Sequence, residues 1–164
     1  MRKLKLFISQ PMHGLNDGEI RHQRKLLYEL ICIILSHDIN LVEKDLKLIN
    51  QFDIKDPPNF EKNHPHIRSQ RIYRLGRSIR LMADANIVVF YGDWQSSKGC
   101  IVERAVCDEY HIPYLDSFDI VKYCEEQMDN NPRVEYLFER LYKKEYDECF
   151  EITDPFTQTD SDDE

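Results

Sequence analysis

Short apolar runs alternate with segments of helical periodicity along most of the chain. The run KLKLFIS closes at the turn-forming QPMHG and predicts a first strand over residues 3–9. Asn16 or Asp17 can cap the helix predicted next, over about residues 18–36. A strand over about residues 47–52 follows, although this segment would also suit a helix. The apolar residues of the first helix recur at helical spacing: Leu26, Leu27, Leu30, Ile31 and Ile34.

The second half of the chain continues the alternation. Residues 53–66 carry three prolines and no periodicity, which indicates a loop. The strand NIVVFY, a helix over about residues 100–110 and the short strand IPYLD come later. Helices near residues 117–128 and 133–149 complete the folded part. Between the loop and NIVVFY, a helix over about residues 67–82 is predicted, with an apolar stripe of Ile72, Leu75, Ile79 and Met82.

This alternation predicts an α/β fold in which a parallel sheet of four or five strands carries helices on both faces. Residues 1–150 form one predicted domain that ends in C-terminal helices. Residues 151–164 hold six of the 30 acidic residues and none of the 22 Lys and Arg residues. Such a composition predicts a disordered acidic tail.

Composition restricts the classes of partner. The net charge is −8, yet 24 acids face 22 bases outside the tail, so the basic excess of a nucleic-acid-binding protein is missing. No apolar run reaches the roughly 20 residues of a membrane-spanning helix, and the N-terminus lacks a signal-peptide pattern. The five cysteines lack CxxC spacing, which favours reduced thiols in the cytoplasm. His64 and His66 could be a pair of metal ligands, but no second pair of ligands follows at the spacing of a zinc site, so we expect no bound metal. We expect no cofactor either.

Ligands of open α/β sheets bind beyond the carboxyl ends of the strands. Two loops have this position: SQPMHG after the first strand and GDWQSSKG after NIVVFY. Glu103 follows the second loop, one turn into its helix, where the helix dipole favours the ionised carboxylate by roughly 0.3–1 kcal/mol. An ionised carboxylate in a cleft is a candidate nucleophile. A solvated helix residue has the same sequence position, so both interpretations stand.

Other residues of the two loops are candidates for a pocket. Asp93 is a candidate second catalytic carboxylate, although a Gly-Asp turn explains it equally. Trp94 suits a base-stacking platform or a core anchor. The five arginines at every third position from 68 to 80 favour a solvated face or a subunit contact over a phosphate site. The remaining substrate-binding candidates are Ser9, Gln10, Met12, His13, Gly14, Ser97 and Gly99.

The segment SSKGCIVERAVCDEYHIPYL, with LGRSIRLMADANIVVFYGDW before it and FISQPMHG near the N-terminus, resembles the nucleoside 2-deoxyribosyltransferase superfamily. The likeness covers residues 4–116 and is greatest to small members frequent in bacteria and phages. Its most specific element is Ser97-x-Gly99-x-x-x-Glu103. The resemblance implies a Rossmann-like sheet and a glutamate at position 103 that attacks C1′ of a 2-deoxyribose, as the nucleophile of a retaining glycosidase does.

The resemblance also implies that Ser97 and the backbone near Gly99 contact the 5′ end of the sugar, and that the protein forms a homo-oligomer. Two departures stand against it. Gly76 occupies the position of a catalytic aspartate, and Pro11 and His13 replace a small hydroxyl residue and an arginine of nucleotide hydrolases. The sequence therefore leaves two main functions open: a transferase or N-glycosidase acting on a 2′-deoxynucleoside or its 5′-phosphate, and a non-catalytic module that senses or sequesters a nucleotide. A third, recruitment of a partner by the acidic tail, rests on composition alone.

Overall fold

A computed structural model describes residues 3–39, 46–49, 66 and 68–142. Within these ranges, strands and helices alternate as predicted, and two single turns of 3-10 helix cover Trp94–Ser96 and Met128–Asn130. The longer elements are β1 (Leu4–Ser9), α1 (Asp17–Ile39), β2 (Leu46–Leu48), α2 (Gln70–Met82), β3 (Ile87–Phe90), α3 (Lys98–Glu109), β4 (Tyr114–Leu115), α4 (Ser117–Gln127) and α5 (Pro132–Tyr142).

The four strands form one parallel sheet in the order β2-β1-β3-β4, which confirms the predicted α/β class. Leu6 of β1 pairs with Leu48 of β2 on one side and with Ile87 of β3 on the other. The chain first moves outward from β1 to β2 and then returns past β1 to β3. The strand order therefore reverses between β1 and β3, and a crevice forms beyond the carboxyl ends of strands at such a point.

Alternating residues of β1 supply two separate cores. Leu6 and Ile8 pack with α1, α4 and α5 on one face of the sheet. Phe7 points to the other face, where it packs with Met82 of α2 and Cys107 of α3. This alternation follows from the two-residue period of a strand. Helices therefore cover both faces, and all five apolar residues predicted for α1 are buried.

Helix α2 differs most from its prediction. It begins at Gln70, where the Ser69 side chain caps it by accepting a hydrogen bond from the Ile72 amide at 3.4 Å. Of its predicted apolar stripe, only Met82 is buried, whereas Ile72 is 71% exposed. The second core includes only the C-terminal end of α2, through Met82 and Leu81. The periodicity identified the helix but overestimated how much of it the sheet covers.

Several predictions fall partly or wholly outside the described residues. Strand β2 ends at Leu48, and positions 50–52 of the longer predicted strand are not described. The same is true of the predicted loop over residues 53–65, of residues 143–149 in the last predicted helix, and of the tail over residues 151–164. Within the described ranges, no helix combines the length and apolarity needed to cross a membrane.

The structure holds Cys100, Cys107 and Cys124 as buried free thiols. Burial raises the pKa of Cys107 and of Cys124 to about 11. Because the thiolate is the reactive form, we expect these thiols to resist alkylation in the native protein, and a reductant to leave the melting temperature unchanged. Mass analysis after a short iodoacetamide pulse and thermal scans with and without dithiothreitol measure both properties. Unfolding that depends on the reductant would contradict the assignment of reduced, structural thiols.

Candidate functional site

Glu103 lies on the buried side of α3. Ser97 caps this helix, because its Oγ accepts a hydrogen bond from the Cys100 amide at 3.5 Å. The helix begins at Lys98, and residues 100, 103 and 107 share its inner face. The Glu103 side chain is consequently only 6% exposed. It is not the solvated helix residue that the sequence alone allowed.

Two serine hydroxyls hold the Glu103 carboxylate. Ser9 Oγ donates to Glu103 Oε2 at 2.5 Å, and Ser78 Oγ donates to Oε1 at 2.5 Å. Ser9 is the last residue of β1, and Ser78 belongs to α2. The carboxylate thus connects three elements, and each of its oxygens accepts one hydroxyl. Its orientation is fixed at the carboxyl end of β1, beside the reversal of strand order.

A buried cation from α1 completes the surroundings. Arg24 is 4% exposed, and its Nη2 donates to the carbonyl oxygen of Ile8 at 3.4 Å. Its Nε donates to Gln10 Oε1 at 3.4 Å, while Gln10 Nε2 donates to Gln23 Oε1 at 2.5 Å. We refer below to Ser9, Gln10, Arg24, Ser78 and Glu103 as the Glu103 cluster.

Burial is the dominant influence on both charged groups of the cluster. It raises the pKa of Glu103, while hydrogen bonds from Ser78 and Ser9 and the charge of Arg24 oppose that rise. Burial lowers the pKa of Arg24 to about 10, which leaves the guanidinium charged at neutral pH, and the Glu103 carboxylate supports its charge. A buried carboxyl with a raised pKa is a candidate for a functional site.

The raised pKa of Glu103 predicts a stability effect with a definite sign. The folded protein binds the Glu103 proton more tightly than the unfolded chain does, whose glutamates titrate near about 4.3. Stability therefore falls as the pH rises from that value through the folded-state pKa. Glu103→Gln has no carboxyl proton to lose, so its free energy of unfolding should increase relative to that of wild type as the pH rises through the folded-state pKa of Glu103.

Urea denaturation at a series of pH values from 4 to 8 measures the difference between the two proteins. Glu109→Gln, the same chemical change at an exposed position of the same helix, serves as the matched control. A wild-type minus Glu103→Gln difference that stays constant across this range would contradict the raised pKa.

The other first-loop candidates lie at the surface. Met12 is 52% exposed, and His13 and Gly14 are exposed as well. Gly14 has φ 82°, a left-handed conformation that favours glycine. Of the first-loop candidates, the structure therefore brings Ser9 and Gln10 into the Glu103 cluster and leaves Met12, His13 and Gly14 on an exposed turn.

The second loop contributes a turn and an aromatic contact. Asp93 is exposed, and its backbone carbonyl accepts a hydrogen bond from Ser96 Oγ at 2.7 Å. Trp94 is half-buried and packs on Phe90, with 5.2 Å between the ring centroids. This contact joins Trp94 to the second core, as its core-anchor interpretation predicts. Asp93 does not belong to the Glu103 cluster.

Gly99, in the first turn of α3, could be replaced by a residue with a Cβ without a steric clash. A Cβ added at Gly99 would meet only Leu75 Cδ1 and Ser97 Oγ, both at an ordinary 3.9 Å. A glycine inside a helix costs about 1 kcal/mol relative to alanine. The fold therefore does not require glycine at position 99.

Sequence reasoning missed Arg24 and Ser78. Arg24 lies four residues after Ile20 and three before Leu27, on the buried face of α1, and a charged residue there was a usable signal. Ser78 lies four residues before Met82, on the inner side of α2. Gly76, at the position where the resemblance implies an aspartate, is exposed. The polar residue that α2 supplies to Glu103 is Ser78, two positions later.

The described residues were also compared with the requirements of a metal site. No group of three or more His, Cys, Asp or Glu residues among them is arranged to hold an ion. Compared with family models, with curated proteins and with solved structures, the chain matches none. The Glu103 cluster and the motif that contains Glu103 are therefore the features of this chain that bear on its function.

Proposed function

We propose that the protein cleaves or exchanges the N-glycosidic bond of a 2′-deoxynucleoside or its 5′-phosphate, with Glu103 as the nucleophile. In this proposal, residues 1–150 form a nucleoside 2-deoxyribosyltransferase-like domain. The observation that carries it is the buried Glu103 carboxylate, held by Ser9 and Ser78 at the carboxyl end of β1. The Ser97-x-Gly99-x-x-x-Glu103 motif places this residue near the end of β1, where the strand order reverses.

The arrangement suits displacement at an anomeric carbon. A Glu103 oxygen bonds to C1′ as the C1′–N bond breaks, and the electron pair of that bond leaves with the base, which takes up a proton. Water or a second base then attacks C1′ and releases the sugar from the carboxylate. A 2-deoxy sugar eases both steps, because it lacks the 2′-hydroxyl that would withdraw electrons from the oxocarbenium-like transition state.

The serine hydroxyls have a definite role in this chemistry. By holding one oxygen each, Ser9 and Ser78 orient the carboxylate before substrate arrives, and such preorganisation lowers the cost of reaching the transition state. As the glycosyl ester forms, one oxygen loses its charge and its hydroxyl contact weakens. The other oxygen becomes the ester carbonyl and keeps a donor.

Substrate contacts would come from both loops. We propose Ser97 and the backbone at Gly99 for the 5′ end of the sugar, and Gln10, Met12, His13, Gly14 and Trp94 for the remaining pocket. Asp93 is the proposed second catalytic carboxylate. Because Asp93 is exposed at the rim, it would act only when a bound substrate or a neighbouring subunit covers it.

We also propose that the protein is cytoplasmic and forms a homo-oligomer, in which a second copy completes the pocket. Large apolar side chains on the helices beside the Glu103 cluster support such a contact. Ile72 is 71% exposed, Ile101 47% and Val102 39%. Apolar side chains exposed on adjoining helices are typical of surfaces that a partner covers.

A non-catalytic nucleotide-binding module is the second candidate. It is favoured by Gly76, which leaves α2 without the aspartate of catalytic relatives, and by the two hydroxyls already bound to Glu103. In such a module, Glu103 would accept hydrogen bonds from the sugar hydroxyls of an intact ligand.

Incubation with a panel of deoxynucleosides and deoxynucleoside 5′-monophosphates, followed by chromatography, distinguishes the two functions. Free base in the wild-type reaction supports the enzyme, and exchange is detected by adding a second base. Intact ligand that co-purifies with the protein supports the binding module. Ribonucleosides provide the matched control, because the enzyme proposal predicts slower release from them.

A further inference from the structure

We propose that Arg104 is a positioning residue for the second loop: its guanidinium group, packed among three aromatic rings, holds Trp94 and thereby fixes Ser97 at the start of α3. The inference deepens the proposed function, since Trp94 and Ser97 are proposed substrate contacts, and its effect on substrate binding rests on that function. The packing itself concerns the unliganded protein and can be tested there.

The Arg104 guanidinium lies over rings that three different segments supply. Its central carbon is 3.5 Å from the centre of the Tyr114 ring in β4. The centres of two further rings, Phe90 at the end of β3 and Trp94 in the second loop, are each 5.9 Å away. A guanidinium within about 6 Å of a ring centre is attracted by the negative face of that ring. Arg104 of α3 therefore connects the second loop to two strands of the sheet.

The rings also contact one another. The Phe90 ring centre is 5.2 Å from that of Trp94 and 6.0 Å from that of Tyr114, and the Phe90 and Tyr114 rings meet edge to face. Phe90 is completely buried, whereas Trp94 is half-buried. The Trp94 ring is thus supported both by a ring of the core and by the cation of α3.

The polar contacts of Arg104 favour stacking over ion pairing as the main restraint. Its Nη1 donates to Asp108 Oδ1 at 2.5 Å, but the Asp108 side chain is 58% exposed, and ion pairs at such sites contribute little. Its Nε is buried and has no hydrogen-bond partner among the described residues. A planar guanidinium is weakly hydrated and stacks on aromatic faces, so it suits this position better than an ammonium group does.

Trp94 transmits the restraint to the start of α3. Its carbonyl oxygen accepts a hydrogen bond from the Ser97 amide at 3.0 Å, which closes the single 3-10 turn Trp94–Ser96. The Oγ of Ser97 in turn accepts a hydrogen bond from the Cys100 amide and caps the helix. Loss of the Arg104 guanidinium should therefore loosen Trp94 and displace Ser97 with it.

Fluorescence measures the first of these effects, because Trp94 is the only tryptophan of the chain. Arg104→Met keeps an unbranched side chain and removes the planar cation. We expect acrylamide, a neutral quencher, to quench Trp94 more strongly in Arg104→Met than in wild type. Arg104→Lys should resemble Arg104→Met, since an ammonium group has no planar face to stack. Unchanged quenching in Arg104→Met, or full recovery by lysine, would overturn the proposal.

Asp108→Asn is the matched control, because it removes the ion pair and leaves the rings in place. Its quenching should stay close to that of wild type, and an increase as large as in Arg104→Met would overturn stacking as the restraint. Circular dichroism shows whether Arg104→Met folds. If it does not, Tyr114→Leu removes the ring nearest to the guanidinium and should increase the quenching instead. Unchanged quenching in that variant would also overturn the proposal.

Substrate kinetics provide a second, separate measurement. If wild type releases base, Arg104→Met should raise KM about tenfold and change kcat by less than about twofold. The reason is that Glu103 keeps its own donors, Ser9 and Ser78, which come from β1 and α2. A lower kcat at unchanged KM would overturn the positioning role. If wild type releases no base while quenching still rises in Arg104→Met, the proposed function fails and the packing role of Arg104 stands.

Discussion

We expect replacement of Glu103 by glutamine to lower the proposed base release by about a thousandfold or more, while the protein remains folded. The reason is chemical: an amide oxygen is a far weaker nucleophile than a carboxylate, and the remaining route is attack by water that no residue activates. The glutamine side chain has the same size, so it can still accept a hydroxyl hydrogen bond from Ser9 or Ser78. Circular dichroism and initial rates of base release on the best deoxynucleotide of the panel measure fold and activity.

The matched control is Glu109→Gln, the same chemical change at an exposed site on the same helix. It should retain nearly full activity. If Glu103→Gln keeps more than a few per cent of wild-type activity, another group is the nucleophile. If wild type binds a nucleotide without cleaving it and the substitution alters only affinity, the binding module replaces the enzyme.

Phe7→Ala should have the largest effect on stability. Phe7 is completely buried in β1, an inner strand of the sheet, and it packs against Met82 and Cys107 in the core between the sheet and the helices α2 and α3. Truncation removes apolar contact and leaves a cavity, which together cost about 3–5 kcal/mol. For a chain of this size, we expect the melting temperature to fall by roughly 10 °C.

Phe118→Ala makes the same truncation at a residue that is 74% exposed, near the start of α4. Its unfolding free energy should stay within about 0.5 kcal/mol of wild type. Urea denaturation of the three proteins gives the comparison. Equal losses in the two variants, or a loss below about 1 kcal/mol in Phe7→Ala, would contradict the placement of the second core.

The sequence predicted correctly the burial of those helices whose whole apolar face packs against other elements of the same chain. Helix α1 is an example, because all its predicted core residues face one continuous cluster formed with α4 and α5. Helix α2 shows the limit. Its apolar stripe is as regular, yet Ile72 lies in solvent since only the C-terminal end of the helix joins a core. Periodicity indicates which face of a helix is apolar and does not indicate what covers that face.

The residues of the candidate site also include some that the sequence could predict and some that it could not. Glu103 and Ser9 could be placed from the sequence, because both lie at or just beyond the carboxyl end of a predicted strand. Arg24 and Ser78 lie inside helices, and they meet other members of the Glu103 cluster only because α1 and α2 pack on opposite faces of the sheet. That meeting depends on tertiary structure. A polar residue on an apolar helix face identifies a candidate but not its partner.

Trapping of a covalent intermediate tests the role of Glu103 most directly. Wild-type protein is mixed with the deoxynucleotide that it cleaves fastest, quenched in acid within the first turnover, digested and analysed by mass spectrometry. We expect a deoxyribosyl or deoxyribosyl-phosphate adduct on the α3 peptide, located at Glu103 and missing in Glu103→Gln. Release of free base without an adduct there, or an adduct on a different residue, would contradict Glu103 as the nucleophile.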